Sequence, residues 1–182
     1  MKKTLALVIG TIILYSCNNN KQTGEAPIEK ASGATEVERS YEFGDSKYID
    51  LSKKGFEALS RGDVDGWMTG FADNAVYRWN SGDSLSGKAA ISAYWKKRRS
   101  EVIDSLTFSN EIWLPIKLHK ASEVIQKPGN YVLNWNKVTS KYKGGKTMVQ
   151  WIHTILHYDE NDRIDEVIQY LDRVPIQAAM MK

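Results

Sequence analysis

The sequence predicts an α+β fold: three N-terminal helices packed on a curved antiparallel sheet. Three observations carry this. Between residues 45 and 102, large apolar side chains recur three and four apart, the period of a helix. From Leu106 onward the period changes to two, the period of a strand. And Gly144-Gly145 lies between two runs of strand character, a strong short-range hairpin signal. Helices that precede a sheet in sequence, rather than alternating with strands, argue for α+β.

Each element has its own signal. Tyr48, Leu51, Ser52, Gly55, Phe56 and Leu59 share a helical face, so residues 45–60 form the first helix, and Arg61-Gly62 stops it. Asp63 suits the N-cap of a second helix that aligns Val64, Trp67, Met68 and Phe71. Ala75 to Trp79 reads as a short strand, and Asn80-Ser81-Gly82-Asp83-Ser84 as a turn. Ser86 or Gly87 opens a third helix with Ile91, Trp95, Arg98 and Val102 in line. Leu106 to Leu118 is a long strand in which Pro115 marks a bulge or an edge. After a connection ending Pro128-Gly129, strands Tyr131 to Lys143 and Lys146 to Tyr158 flank the glycine pair. Asp159-Glu160-Asn161-Asp162 turns into a last strand, Arg163 to Leu171. Residues 41–182 are thus one domain in size, with no internal repeat.

The N-terminus has a different character. Met1-Lys2-Lys3 is basic, and Thr4 to Tyr15 is almost wholly apolar but short for a membrane span, the layout of a secretory signal peptide. The run ends Leu14-Tyr15-Ser16-Cys17, which resembles a bacterial lipobox. The resemblance implies that residues 1–16 are removed and Cys17 is lipidated, placing the protein in the bacterial cell envelope, at the outer membrane. The alternatives are an ordinary cleaved signal or an uncleaved anchor. Cys17 is the only cysteine, so no disulfide can form within the chain. Several acyl chains on one residue anchor stably where one would not. Residues 17–40 are polar, with Asn18-Asn19-Asn20, Gly24, Pro27 and Gly33, and read as a flexible tether. As a random coil, such a tether reaches roughly 26 Å.

Charge excludes a function class. Removing residues 1–16 takes two lysines and no acid, so 25 basic residues fall to 23 against 22 acidic ones, and the net charge drops from +3 to about +1. Nucleic-acid binding needs a clustered positive excess. The one candidate patch, Lys96-Lys97-Arg98-Arg99, reads as a solvated helix end, where cations also suit the dipole.

The block Gly62-Asp63, Phe71-Ala72-Asp73-Asn74-Ala75-Val76 and Gly87-Lys88-Ala89-Ala90-Ile91 resembles the NTF2-like superfamily, in particular its SnoaL-like, polyketide-cyclase-like branch. The closing strand, from Asp162-Arg163-Ile164 to Gln169-Tyr170-Leu171-Asp172, agrees. The resemblance implies a cone with an internal pocket. It does not imply an activity, because isomerases, cyclases, hydrolases, dehydratases and non-enzymes share the fold. The ketosteroid isomerases of this superfamily keep a general base where Trp79 (or Arg78) falls here, a donor tyrosine where Gly55 falls, and a protonated aspartate where Thr154 falls. None of these side chains supplies the needed base or charge-stabilising donor, so that chemistry is not expected. The Asp-Arg-Asp set of the related epoxide hydrolases has no evident equivalent.

Strand parity then sorts the late residues. A two-residue Gly144-Gly145 turn sets Trp135 opposite Thr154, and a four-residue turn at 159–162 sets Thr154 opposite Val167. One face then holds Leu133, Trp135, Gln150, Ile152, Thr154, Val167, Gln169 and Leu171. The other holds Asn134, Asn136, Trp151, His153, Ile155, Ile168 and Tyr170. The resemblance places the first face inside the cone, so Tyr77, Trp79, Trp135, Thr154 and Gln169 are the expected ligand-binding residues. Trp67 and Trp95 lie on helical stripes and are assigned to the core. His153 reads either as an interface residue on the outer face, which often forms a dimer interface in this superfamily, or as an acid–base group with Tyr170 and Asp172 nearby. Asp172, closing the last strand, also reads as a cap or an ion-pair partner. His153 and His157 project the same way but about 13 Å apart, too far for one metal. No metal site or other cofactor is expected.

The functional expectation is an envelope-anchored domain that binds a small, partly apolar molecule in its cone, with a homodimer and a lipid anchor on Cys17. One alternative is a non-catalytic dimeric interaction module. A further alternative is a lyase, isomerase or hydrolase that uses His153.

Overall fold

A computed structural model describes residues 40–121 and 127–181. The signal segment, Cys17 and the tether up to residue 39 lie outside the described residues. The chain opens with a three-residue strand β1 (Tyr41–Phe43), then helix α1 (Lys47–Arg61) and helix α2 (Val64–Met68). Strands β2 (Phe71–Trp79) and β3 (Ser84–Ser86) precede helix α3 (Lys88–Lys97), which runs into a π-helical turn at Arg98–Val102. Three long strands follow, β4 (Ile103–Leu118), β5 (Gly129–Tyr142) and β6 (Thr147–Tyr158), then β7 (Ile164–Tyr170) and helix α4 (Arg173–Met180). The seven strands form one sheet in the order β1-β4-β5-β6-β7-β2-β3. All neighbours are antiparallel except β2 and β7.

Local chemistry explains the helices. In α1 the residues Tyr48, Ser52, Phe56 and Leu59, at helical spacing, are buried together with Ala58, whereas Leu51 at the edge of that stripe is exposed. The helix ends at Gly62, whose φ of 84° is a left-handed conformation that only glycine adopts cheaply. Asp63 then caps α2 by accepting from the Gly66 amide at 2.7 Å. Polar bonds tie α1 to the sheet: Tyr48 Oη donates to Asp162 Oδ1 at 2.7 Å, and the Ser52 and Tyr158 hydroxyls meet at 2.8 Å.

The core lies between these helices and the concave face of the sheet. Phe71, Ala75, Ile91 and Val132 are fully buried there. Trp67 packs edge-on against both Phe71 and Trp95, at 4.9 and 5.4 Å between ring centroids. Trp67 and Trp95 are thus core residues.

The expected register of the central hairpin is corrected by one residue. The turn takes three residues, not two: the Tyr142 amide donates to the Lys146 carbonyl at 2.9 Å, and Gly144 and Gly145 both have positive φ. Trp135 therefore faces His153, and Asn134 faces Thr154. The reason lies in β5. Its inward residues are now Val132, Asn134, Asn136, Val138, Ser140 and Tyr142, all buried, while Lys137 and Lys141 stay exposed. The other register would have turned those lysines into the core, where an unpaired cation is costly.

The second turn slips by one residue and a bulge beyond it by another, and together they preserve parity. Asp159 pairs with Arg163 through a backbone bond of 2.8 Å, and Asp162 takes a φ of 58°. That bulge, between His157 and Tyr158, brings Thr154 opposite Gln169. Val167, Gln169 and Thr154 thus share the inner face as expected.

Three other differences are smaller. The bulge in β4 falls between Ser109 and Ile112, around Asn110 with its φ of 53°, and not at Pro115. Pro115 instead marks the edge, where β1 ends and β4 becomes an outer strand, its carbonyl accepting from the Gly44 amide at 2.9 Å. The turn cluster after Trp79 runs at Ser84 into the short strand β3, which pairs back on β2. Finally, α4 adds a fourth helix: Asp172 caps it by accepting from the Val174 amide at 2.8 Å.

Candidate functional site

The helices and the inner sheet face enclose a cavity of about 430 Å³. Its wall is largely aromatic, because β2 and α3 each turn such residues inward. Tyr77 packs on Trp79 at 4.8 Å, and Trp79 on Tyr94 at 5.3 Å. Leu156, Val167 and Ile152 form the apolar floor. The exposed residues Asp83, Ser84, Arg173 and Gln177 mark the mouth, beside the start of α4.

Few polar groups face this interior. Tyr77 Oη donates to Gln169 Oε1 at 2.9 Å. Burial pushes the Tyr77 phenol far above its ordinary range, so it is a neutral donor at any physiological pH. Thr154 lies in the wall with its buried hydroxyl unpartnered, and so does Trp95 with its indole N–H. Ser140 and Tyr142 add hydroxyls from β5. At the mouth Arg173 pairs with Asp83 at 2.7 Å, which holds the Asp83 carboxyl below its usual range. Arg98 is the other charged lining residue.

The structure therefore brings Tyr77, Trp79, Thr154 and Gln169 to one cavity, and leaves Trp135 out. Trp135 is corrected to the outer face by the hairpin slip. There it stacks on His153 at 4.4 Å, and His153 stacks on Tyr170 at 5.7 Å. His153 Nδ1 lies 2.9 Å from the Asn134 carbonyl. His153 and Tyr170 thus sit across the sheet from the cavity. Asp172 is the cap of α4, and its backbone exchanges two hydrogen bonds with the Gln150 amide, at 3.0 and 3.1 Å. Arg78 points away from the cavity into an ion pair with Glu166 at 2.9 Å, and Gly55 lies against the Trp67 ring. Among the described residues, no group of three or more His, Cys, Asp or Glu side chains could hold a metal ion.

A second polar cluster lies on the far side of the sheet from the cavity floor. His157 is buried, its Nδ1 against Asp165 and its Nε2 3.2 Å from the Pro128 carbonyl. Lys127 reaches the other Asp165 oxygen at 2.9 Å. Burial pushes the Asp165 carboxyl up, but the hydrogen bonds from His157 and Lys127 outweigh it, and the group ends below its ordinary range.

Tyr94, Arg98, Tyr142 and the α4 residues were not expected at the site. Arg98 left a trace in the sequence, since it falls on the apolar stripe of Ile91 and Trp95. The basic run is not uniformly solvated: Lys96 and Lys97 are exposed, whereas Arg98 and Arg99 are half-buried, and Arg99 Nη2 donates to the Ser60 carbonyl at 3.2 Å. Tyr142 needed the correct hairpin register, and α4 is too short to show a clear period.

A sequence model described as the SnoaL-like domain matches residues 53–167. The chain belongs to the SnoaL-like domain family. No curated protein matches it in sequence comparison. Solved structures resemble the SnoaL-like domain in fold. A candidate polyketide cyclase from Xanthomonas campestris pv. campestris superposes with a TM-score of 0.57 at 17% identity, over 74% of this chain and 95% of that one. An LEH-like epoxide hydrolase from M. tuberculosis gives 0.55 at 15% identity, over 74% and 90%. An NTF2-like protein from Burkholderia xenovorans gives 0.57 at 16% identity, over 77% and 100%. At these identities the likeness is one of fold: a mixed α+β cone with a curved sheet.

Proposed function

We propose that this SnoaL-like domain binds a small, partly apolar molecule inside its cone, and that a lipid on Cys17 anchors it in the bacterial envelope, at the outer membrane. The observation that carries the binding half is the cavity itself. A space of about 430 Å³ lies within the usual range for small-molecule sites and is walled by Tyr77, Trp79 and Tyr94. The Tyr77–Gln169 pair gives it a fixed polar point. A cavity meant only as core would be filled, since interiors pack to crystal density. Ligand binding to the folded state must raise apparent stability. Thermal-shift screening of the lipid-free mature chain against metabolite extracts tests this; the reading fails if no fraction raises the melting temperature. The anchoring half rests on the layout of residues 1–17. Labelled palmitate should enter the full chain, and Cys17→Ser should abolish it.

A second reading is favoured by the outer sheet face. Trp151 is 54% exposed, Ile112 56% and Tyr170 47%, all on the side away from the helices. Such an apolar patch fits a homodimer or an interaction module. Sedimentation velocity at micromolar concentration should show a dimer that Trp151→Glu dissociates, and a monomer at all concentrations would remove this reading.

A further inference from the structure

Three charged side chains line the cavity: Asp83, Arg98 and Arg173. Asp83 and Arg173 neutralise each other at the mouth, 2.7 Å apart. Arg98 forms no ion pair among the described residues. The nearest acids in sequence do not serve it: Asp104 pairs with Lys141 at 3.2 Å, and Glu101 is exposed. The cavity therefore carries one uncompensated positive charge.

The fold puts that charge where it is by a specific route. Arg98 follows Ile91 and Trp95 along the inward stripe of α3. It then opens the π-helical turn, in which the Ile103 amide reaches back five residues to the Arg98 carbonyl. Such widened turns are common at functional sites. The guanidinium lies over the Tyr94 ring, 5.7 Å from its centroid. It also acts on the phenols of Tyr142 and Tyr77, both of which burial keeps in the neutral form. Its neighbours are thus the Tyr94 face and the neutral Tyr142 hydroxyl. These orient a guanidinium without balancing its charge.

We propose that the cone's ligand is an organic acid, with an apolar body against the aromatic wall and an anionic oxygen group received by Arg98 with the Tyr142 hydroxyl. This rests on the reading that the cone holds a small molecule. A planar guanidinium offers two parallel N–H donors that match a carboxylate or similar oxyanion. In an apolar surround that contact is stronger than in water. An arginine that merely covered apolar surface with its stem, and sent its head into solvent, would be indifferent to ligand charge.

Two fluorescent probes separate these cases, because they share one skeleton and differ by an anionic group. They are 8-anilinonaphthalene-1-sulfonate and the neutral N-phenyl-1-naphthylamine. Titrated into the mature chain, the sulfonate should bind about tenfold or more tightly than the neutral probe, and the neutral probe should displace it. Arg98→Met should bring the two affinities together, and Arg98→Lys should restore part of the difference. Equal affinities in the unaltered protein overturn the proposal. So does a preference that survives Arg98→Met, or a sulfonate that the neutral probe cannot displace. If neither probe binds, the small-molecule reading of the cone falls, and this proposal with it. If both bind without a charge preference, only the organic-acid assignment falls.

Discussion

The two faces of the β5–β6–β7 sheet are rich in aromatic and polar side chains of the same kinds, yet their environments differ. On the inner face Tyr142 and Thr154 are buried beneath the helices, and Gln169 accepts from the Tyr77 hydroxyl of the neighbouring β2. On the outer face Trp135, His153 and Tyr170 form a stack open to one side, with Trp151 half-exposed beside it. Along a strand these two groups are interleaved residue by residue. Composition therefore does not assign a tryptophan or histidine to a cavity here; only its parity relative to the helices does. The inner face offers a dry polar anchor in an apolar wall, suited to a small molecule. The outer face offers broad apolar surface, suited to another protein.

Unfolding energetics should separate the faces most sharply. Trp67→Ala, in the buried layer under α1, should cost about 3–5 kcal/mol in a denaturant titration. A loss no larger than that of an outer-face tryptophan would break the comparison. Removing the carboxylate behind the sheet, by Asp165→Ala, should cost about 2 kcal/mol, because it strands the donors of His157 and Lys127. The same group sets an acid limit. Its pKa is lowered in the folded state, so its contribution is complete above the ordinary carboxylate value of about 4 and drains away as pH falls below it. Urea midpoints measured from pH 6 to pH 2 should fall less steeply in Asp165→Asn than in the unaltered protein. Tyr158 sets the opposite limit. Burial raises its phenol to about 12, so the stability it adds is complete below pH about 10 and is lost as pH rises from there. Tyr158→Phe should flatten that alkaline decline.

Smaller effects sharpen the contrast further. Tyr77→Phe should cost about 1 kcal/mol by leaving Gln169 without its donor. It should also weaken any ligand that uses the Gln169 amide, measured by the same probe titrations. Trp151→Ala, on the outer face, should change monomer stability by about 0.5 kcal/mol or less. If that change proves as costly as Trp67→Ala, the outer face is not an open surface in the folded chain.

Much of this was legible in the sequence. The helices α1 to α3, their caps at Asp63 and Gly62, and the long strands follow from periodicity and a few terminators. The family could be recognised from the block between Gly62 and Ile91. The positions of Tyr77, Trp79, Thr154 and Gln169 in one cavity also followed, because a slip in the last turn and another at the bulge beside it cancelled in parity. Trp135 did not follow. A glycine pair permits turns of two or three residues, and the choice was made by Lys137 and Lys141, which must stay in water. That decision moved Asn134 and Asn136 inside and paired Trp135 with His153.

What the sequence determined by itself is therefore the set of elements and the fold they compose, since these depend on near-neighbour spacing. What only the tertiary structure decided is which side of each strand meets the helices, and where a charge comes to rest. Arg98 belongs to a basic run that local reasoning assigns to solvent, and its membership of the apolar stripe is equally visible. The conflict is resolved only when α3 docks on the sheet and the π-helical turn directs the guanidinium between Tyr94 and Tyr142. Burial is a property of the assembled layers, and no spacing rule within one helix contains it.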